Sequence, residues 1–198
     1  MDLIPLFPLN LVLFPEGQLP LRIFEPRYTD LVSECLRTDT GFGVCLIKNG
    51  LESGGGAQCF DVGTYAKIVD WSKLEDGLLG VTAVAGERFR VEHYSERSNG
   101  LLEGQVQWLT QESRAGVVEP KYHSLQLLLS QIFEHYDIEC EDQANLLQDA
   151  DWLTYRLTEM LPLDLQSKQM LLETDDSQQR LSHLQQIINE TNITQIAN

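Results

Sequence analysis

No run of roughly eighteen apolar residues occurs in this chain, so nothing in it reads as a membrane-spanning helix. The four cysteines, Cys35, Cys45, Cys59 and Cys140, show no CxxC spacing. They read as reduced, mostly buried thiols and mark neither a disulfide framework nor a zinc site. The four histidines, His93, His123, His135 and His183, form no HExxH and no paired Cys/His pattern, so no metal and no cofactor is expected. There is no G-x-x-x-x-G-K-[ST] phosphate loop. The glycine run Gly54-Gly55-Gly56 has no lysine after it and reads as a flexible loop. Positive charge is scarce: 14 basic against 30 acidic residues give a net charge of −16. Lys and Arg form no cluster. That balance repels phosphate backbones, which excludes DNA and disfavours RNA as a partner. The start, Met1-Asp2-Leu3, has no basic segment ahead of an apolar one, so a secretory leader is not expected and a cytoplasmic setting is.

What is present suffices for a fold. The chain has 198 residues, 42% of them hydrophobic, which is enough for one ordinary domain or two small subdomains. Its character changes near Glu112. Before that point strand signals dominate. Asn49-Gly50, Asp76-Gly77 and Asn99-Gly100 are hairpin dipeptides, each beside β-rich runs such as 42–48, 68–71, 78–84, 88–94 and 101–109. Short strands at this spacing predict a small barrel or folded sheet. One helix interrupts them, with Pro26 in its first turn and residues 27–36 following.

After Glu112 the period becomes helical. Leu125, Leu128, Leu129, Ile132, Phe133 and Tyr136 lie on one helix face. Leu146, Ala150, Leu153, Leu157 and Leu161 lie on a second, ended by Pro162. Asp164 is placed to cap a third helix carrying Met170 and Leu171. Asp175 or Asp176 is placed to cap a fourth, with Leu181, Leu184, Ile187 and Ile188. The expectation is an α+β fold: a β-rich subdomain over 1–111 and an α-helical bundle subdomain over 112–198. Residues 1–111 carry a net charge of −6 and residues 112–198 one of −10. Most of that acidity reads as solvated helix faces, with an acidic docking surface as the alternative.

Several segments in order resemble the N-terminal domain of Lon-type ATP-dependent proteases (protease La, peptidase S16). They are PLFPLNLVLFP at 5–15, PLRIFEPRY at 20–28, VGT at 62–64, EDG at 75–77, GERFRV at 86–91, Leu161-Pro162, Lys168-Gln169, LLE at 171–173 and Arg180-Leu181. Each is weak alone; their order and spacing are specific. The resemblance implies a PUA-like small β-barrel followed by helices, and a module that engages substrate polypeptides. The ATPase and peptidase parts of such proteases have no counterpart here. Ser167 and Lys168 are neighbours, so on a helix they diverge by roughly 100° and form no nucleophile–base pair.

The opening prolines, Pro5, Pro8, Pro15 and Pro20, suit edge strands and rigid connections. Glu25 sits where a carboxylate meets a helix start, and Arg27 is placed to pair with it. The aromatics Phe7, Phe14, Phe24 and Tyr28 have two readings. They fill the barrel core, or they line an apolar groove with Phe42. Trp71, Trp108 and Trp152 read as core or interface. The expected function is non-enzymatic recognition of unfolded or flexible polypeptides, or of a protease or chaperone partner. Phe14, Phe24, Tyr28 and Phe42 are the speculative contacts, and the chain is expected to be a monomer or weak dimer. The alternative is a small-molecule or RNA-binding regulator using the same sheet.

Overall fold

The computed structural model describes residues 1–52, 54, 56–109 and 116–191. Gly55 of the glycine run and the expected change at Glu112 fall outside them. The chain divides into two compact units, Met1–Thr110 and Gln111–Asn198.

The first unit is built on seven strands: β1 (Asp2–Leu9), β2 (Gln18–Ile23), β3 (Phe42–Asn49), β4 (Gln58–Cys59), β5 (Val62–Lys73), β6 (Leu79–Glu96) and β7 (Leu102–Leu109). The sheet runs β1-β7-β6-β5-β3-β4. A parallel pairing of β1 with β3, Leu6 to Gly43 through Leu9 to Leu46, joins its ends into a five-stranded barrel. β1 changes partner midway: residues 2–5 pair antiparallel with β7, and residues 6–9 pair with β3. Each half of β1 is therefore bonded along one side, which lets it carry Pro5 and Pro8 without losing a ladder donor.

The turns follow from their residues. Gly77 and Gly100 both adopt φ near +80° (85° and 80°), a region glycine enters freely. Asp76 and Asn99 side chains accept from the amides two residues on, Leu78 and Leu101, as Asx turns do. These turns join β5 to β6 and β6 to β7. The helix α1 (Pro26–Thr38) opens with Pro26 and closes at Asp39, whose φ of 53° is left-handed. Its face Tyr28, Leu31, Val32 and Cys35 packs with Phe7, Phe42, Val44, Val81 and Ala83 in the main core. A second cluster, around Leu6, Phe89 and Val106, also fills the barrel.

The second unit is helical: α2 (His123–His135), α3 (Gln143–Leu146), α4 (Ala150–Met160), α5 (Leu165–Glu173) and α6 (Ser177–Thr191). Leu125, Leu129, Leu153, Leu157, Leu171, Leu181 and Leu184 form its core. Two expectations need correction. Tyr136 lies just past α2 and is exposed, because the helix ends before completing that turn. The face running from Leu146 to Leu161 is not one helix. The Asp149 carboxylate accepts from the Asp151 and Trp152 amides and starts α4 afresh, leaving Leu146 in the one-turn α3. Asp164 caps α5 and Asp176 caps α6, as the sequence indicates. No helix of the described residues is long and apolar enough to cross a membrane.

Candidate functional site

Three of the four aromatics expected at a groove are core. Phe14 is fully buried and Phe42 almost so. Tyr28 stacks on Phe7, with ring centroids 3.9 Å apart and 10° between the planes. Burial pushes the Tyr28 phenol up to about 12. Phe42 joins the same cluster, 5.8 Å from Phe7. Phe7, Tyr28 and Phe42 pack α1 on the barrel, and they and Phe14 are buried. Phe24 stands apart, at the end of β2, and is 65% exposed. Its neighbours Glu25 and Arg27 pair at 3.0 Å. Arg27 also donates to the Gly100 and Glu52 carbonyls and lies over the Tyr28 ring, so this cation fastens the start of α1 to two loops. Glu25 does not cap the helix through its side chain.

Trp71, read from the sequence as core or interface, is 59% exposed. A β-bulge precedes it in β5. Ile68 pairs with Ala83 of β6, but Asp70 pairs with Thr82, so β5 carries one extra residue there. The extra residue reverses which side each later side chain takes. Before the bulge Ala66 and Ile68 share a face with Ala85 and Ala83. After it Trp71 lies opposite Val81. The bulge keeps Trp71 on the face of Ile68, Ala83 and Val81, and its surface is open because it stands near the end of the β5–β6 ladder, which closes at Lys73 and Leu79.

That end of the sheet has three strands, β2, β6 and β5 in order. Leu21, Val81 and Trp71 are aligned across it, as are Pro20, Thr82 and Asp70, and Arg22, Gly80 and Ser72. An open trough of about 680 Å³ lies there, lined by these nine residues and by Leu74, Glu75 and Asp76 of the β5–β6 hairpin. Gly80 makes room for the Leu74 side chain in its lining: a Cβ at that position would stand 2.7 Å from Leu74 Cδ2. Arg22 and Asp76 form an ion pair that ties β2 to the hairpin. The Leu78 amide, and Arg22 after it, hold the Asp76 carboxyl below its usual range.

β2 is also an edge. Ala85 donates to the Gly17 carbonyl at 2.9 Å, and the register then places the bonded pairs with β6 at Leu19, Leu21 and Ile23. Gln18, Pro20 and Arg22 turn their backbone groups away from β6, and Pro20, having no N–H, loses nothing there. Among the described residues no strand pairs with that side. Gln18, Pro20 and Arg22 are all exposed.

Other chemistry is not assembled. Ser167 donates to the Asp164 carboxylate at the start of α5. Lys168 donates to the Glu159 carbonyl, and burial lowers its pKa. The two point to different partners. Burial raises the thiol pKa of Cys35, Cys45 and Cys59, which makes them weak nucleophiles. Among the described residues no three His, Cys, Asp or Glu side chains are grouped to hold a metal ion.

Comparison with known proteins agrees with this architecture. The family described as "ATP-dependent protease La (LON) substrate-binding domain" matches residues 3–190. Lon protease 2 of Syntrophobacter fumaroxidans is 26% identical over 182 residues, which are 88% of this chain and 22% of that protein. Lon protease of Cytophaga hutchinsonii is 25% identical over 199 residues, 96% of this chain and 24% of its own length. The chain thus spans under a quarter of these relatives. The crystal structure of a Lon N-terminal domain protein from Xanthomonas campestris superposes with a TM-score of 0.78 at 35% identity, covering 93% of this chain and 97% of that one. The N-terminal domain of Mycobacterium avium complex Lon protease shares the fold, with a TM-score of 0.68 at 18% identity over 96% and 98% of the two chains. The chain belongs to the family of ATP-dependent protease La (LON) substrate-binding domains.

Proposed function

We propose that this chain recognises extended polypeptide segments at the trough on β2, β6 and β5, and that it binds them without chemical change. The observation that carries the reading is one place with two complementary features. The outer side of β2 offers unpaired backbone groups, and the trough beside it holds the exposed Trp71. An added strand draws affinity from main-chain hydrogen bonds, which every polypeptide supplies. An exposed aromatic adds apolar contact at low entropic cost. The combination suits weak sequence preference. The family description, a substrate-binding domain of a protease, supports the same reading.

A nucleic-acid ligand fits this site poorly, since Asp70, Glu75 and Asp76 outnumber Arg22 along the lining. A small ligand fits less well than a polypeptide, because small-molecule sites enclose most of their ligand and this trough lies along an open sheet.

The test is fluorescence anisotropy of a labelled, permanently unfolded polypeptide titrated with the protein, beside the variants Trp71→Ala and Gly80→Val. Saturable binding that weakens in both variants, while both keep the wild-type melting transition, supports the site. Binding unchanged by both variants places recognition elsewhere, and no binding refutes the reading.

A further inference from the structure

Resting on that reading, we infer that Pro20 decides which partners the β2 edge accepts: it admits a foreign extended segment and turns away a second copy of this chain. The bonded pairs of β2 with β6 fall at Leu19, Leu21 and Ile23, so the backbone groups of Gln18, Pro20 and Arg22 face outward. Gln18 and Arg22 each offer a donor and an acceptor there. Pro20, with no N–H, offers an acceptor alone. The three side chains are exposed, and among the described residues no strand pairs with that side. The edge therefore lacks a donor at the middle of its outward groups.

A foreign segment that adds antiparallel loses little to that gap. Its residues opposite Gln18 and Arg22 exchange both hydrogen bonds. Its residue opposite Pro20 still donates to the Pro20 carbonyl, and one carbonyl of the segment is left to water. A second copy meets a different situation. The register that brings most of two β2 strands together is antiparallel about Pro20, with Gln18 of each copy opposite Arg22 of the other. It sets Pro20 against Pro20. Neither has a donor, so two carbonyls face one another with no hydrogen between them, and an unsatisfied polar group costs more than one hydrogen bond gains. Slipping the register avoids that meeting but leaves fewer residues of β2 in the ladder. Proline is one of the devices that keep edge strands from pairing with each other. The charge of −16 on each copy adds a repulsion that salt screens.

Pro20→Ala and Pro20→Val both restore the donor, with different side chains, and Gln18→Pro removes another donor from the same edge. Each is compared with the wild type at moderate salt, after thermal melting has shown it folded at the assay temperature. A labelled, permanently unfolded polypeptide is titrated by anisotropy at protein concentrations below any self-association, and light scattering follows the mass of each protein as its concentration rises. The expected result is polypeptide binding tighter by roughly two- to tenfold in both Pro20 variants, the gain from one hydrogen bond, and weaker by a like factor in Gln18→Pro. Both Pro20 variants should also gain mass at concentrations where the wild type does not. Wild-type binding with Pro20 variants neither tighter nor heavier overturns the role of Pro20 and leaves polypeptide recognition intact. Tighter binding without added mass overturns the exclusion of a second copy. Added mass without tighter binding overturns the admission of a foreign strand at this edge. No polypeptide binding by the wild type or any variant removes the underlying reading as well.

Discussion

Trp71 and Val81 stand directly opposite one another in the β5–β6 ladder, yet Val81 belongs to the core and Trp71 to the surface. The bulge between Ile68 and Asp70 sets this pairing, and the end of the sheet carries the indole beyond the packed rings. Trp71→Ala should therefore change stability by less than ~0.5 kcal/mol, as surface substitutions do. It should weaken polypeptide binding by roughly fivefold or more, the loss of one aromatic contact. Urea unfolding and anisotropy on the same sample separate the two effects.

The buried rings should behave in the opposite way. Tyr28 and Phe42 pack on Phe7 between α1 and the sheet. Truncating either to alanine leaves a cavity and should cost ~3–5 kcal/mol. Tyr28→Phe keeps the stacked ring and should cost much less. If Tyr28→Ala lowered affinity while leaving the unfolding midpoint unchanged, its placement in the core would be contradicted.

In the helical unit, the Arg180 guanidinium is fully buried and pairs with Asp151. It also donates to the carbonyls of Leu171, Thr174 and Asp175, which binds the start of α6 to the end of α5 and to α4. Asp151→Ala leaves a buried cation short of its countercharge, so a loss of ~3–5 kcal/mol is expected. Asp149→Ala removes the cap of α4 and should cost ~1 kcal/mol. Chemical denaturation of the two variants should rank them in that order.

Glu34 gives a pH dependence of known sign. Its hydrogen bonds with Arg97 hold the Glu34 carboxyl below its ordinary value of 4.5 in the folded chain. The unfolded chain binds the proton more readily, so the pair's contribution is fully present above 4.5 and fades as pH falls through the lower folded value. The carboxylate is 38% exposed, so solvent screens the pair and the effect is small. Melting temperatures across the acid range should fall slightly less steeply in Glu34→Gln than in the wild type.

Much of this fold is legible in the sequence, and the exceptions have physical causes. Asp76-Gly77 and Asn99-Gly100 announce their hairpins because only certain residues make such turns. Pro26 and the spacing of Tyr28, Leu31, Val32 and Cys35 announce α1. Asp164 announces the start of α5. The parallel pairing of β1 with β3 leaves no local trace, since it joins residues more than thirty apart. The break before α4 hides inside a continuous apolar period, and its one signal is Asp149 followed by Ala150. The site was harder still. Phe14, Tyr28 and Phe42 look alike as apolar residues whether they face a core or a groove. Trp71 reads as core because a large aromatic in a strand usually packs inside, and no local signal says that it stands near the end of the ladder, which closes at Lys73 and Leu79. Pro20 is the clearer pointer, since a proline inside a strand needs an unpaired side.

The central claim is that the β2 edge and the trough beside it receive polypeptide, and amide NMR during a titration with an unlabelled unfolded polypeptide tests it most directly. Shifts should concentrate at the amides of Gln18 and Arg22, at Gly80 and at the Trp71 indole, with Gln18 and Arg22 gaining protection from hydrogen exchange. Shifts confined to residues outside β2, β5 and β6, with these positions unmoved at saturation, would contradict it.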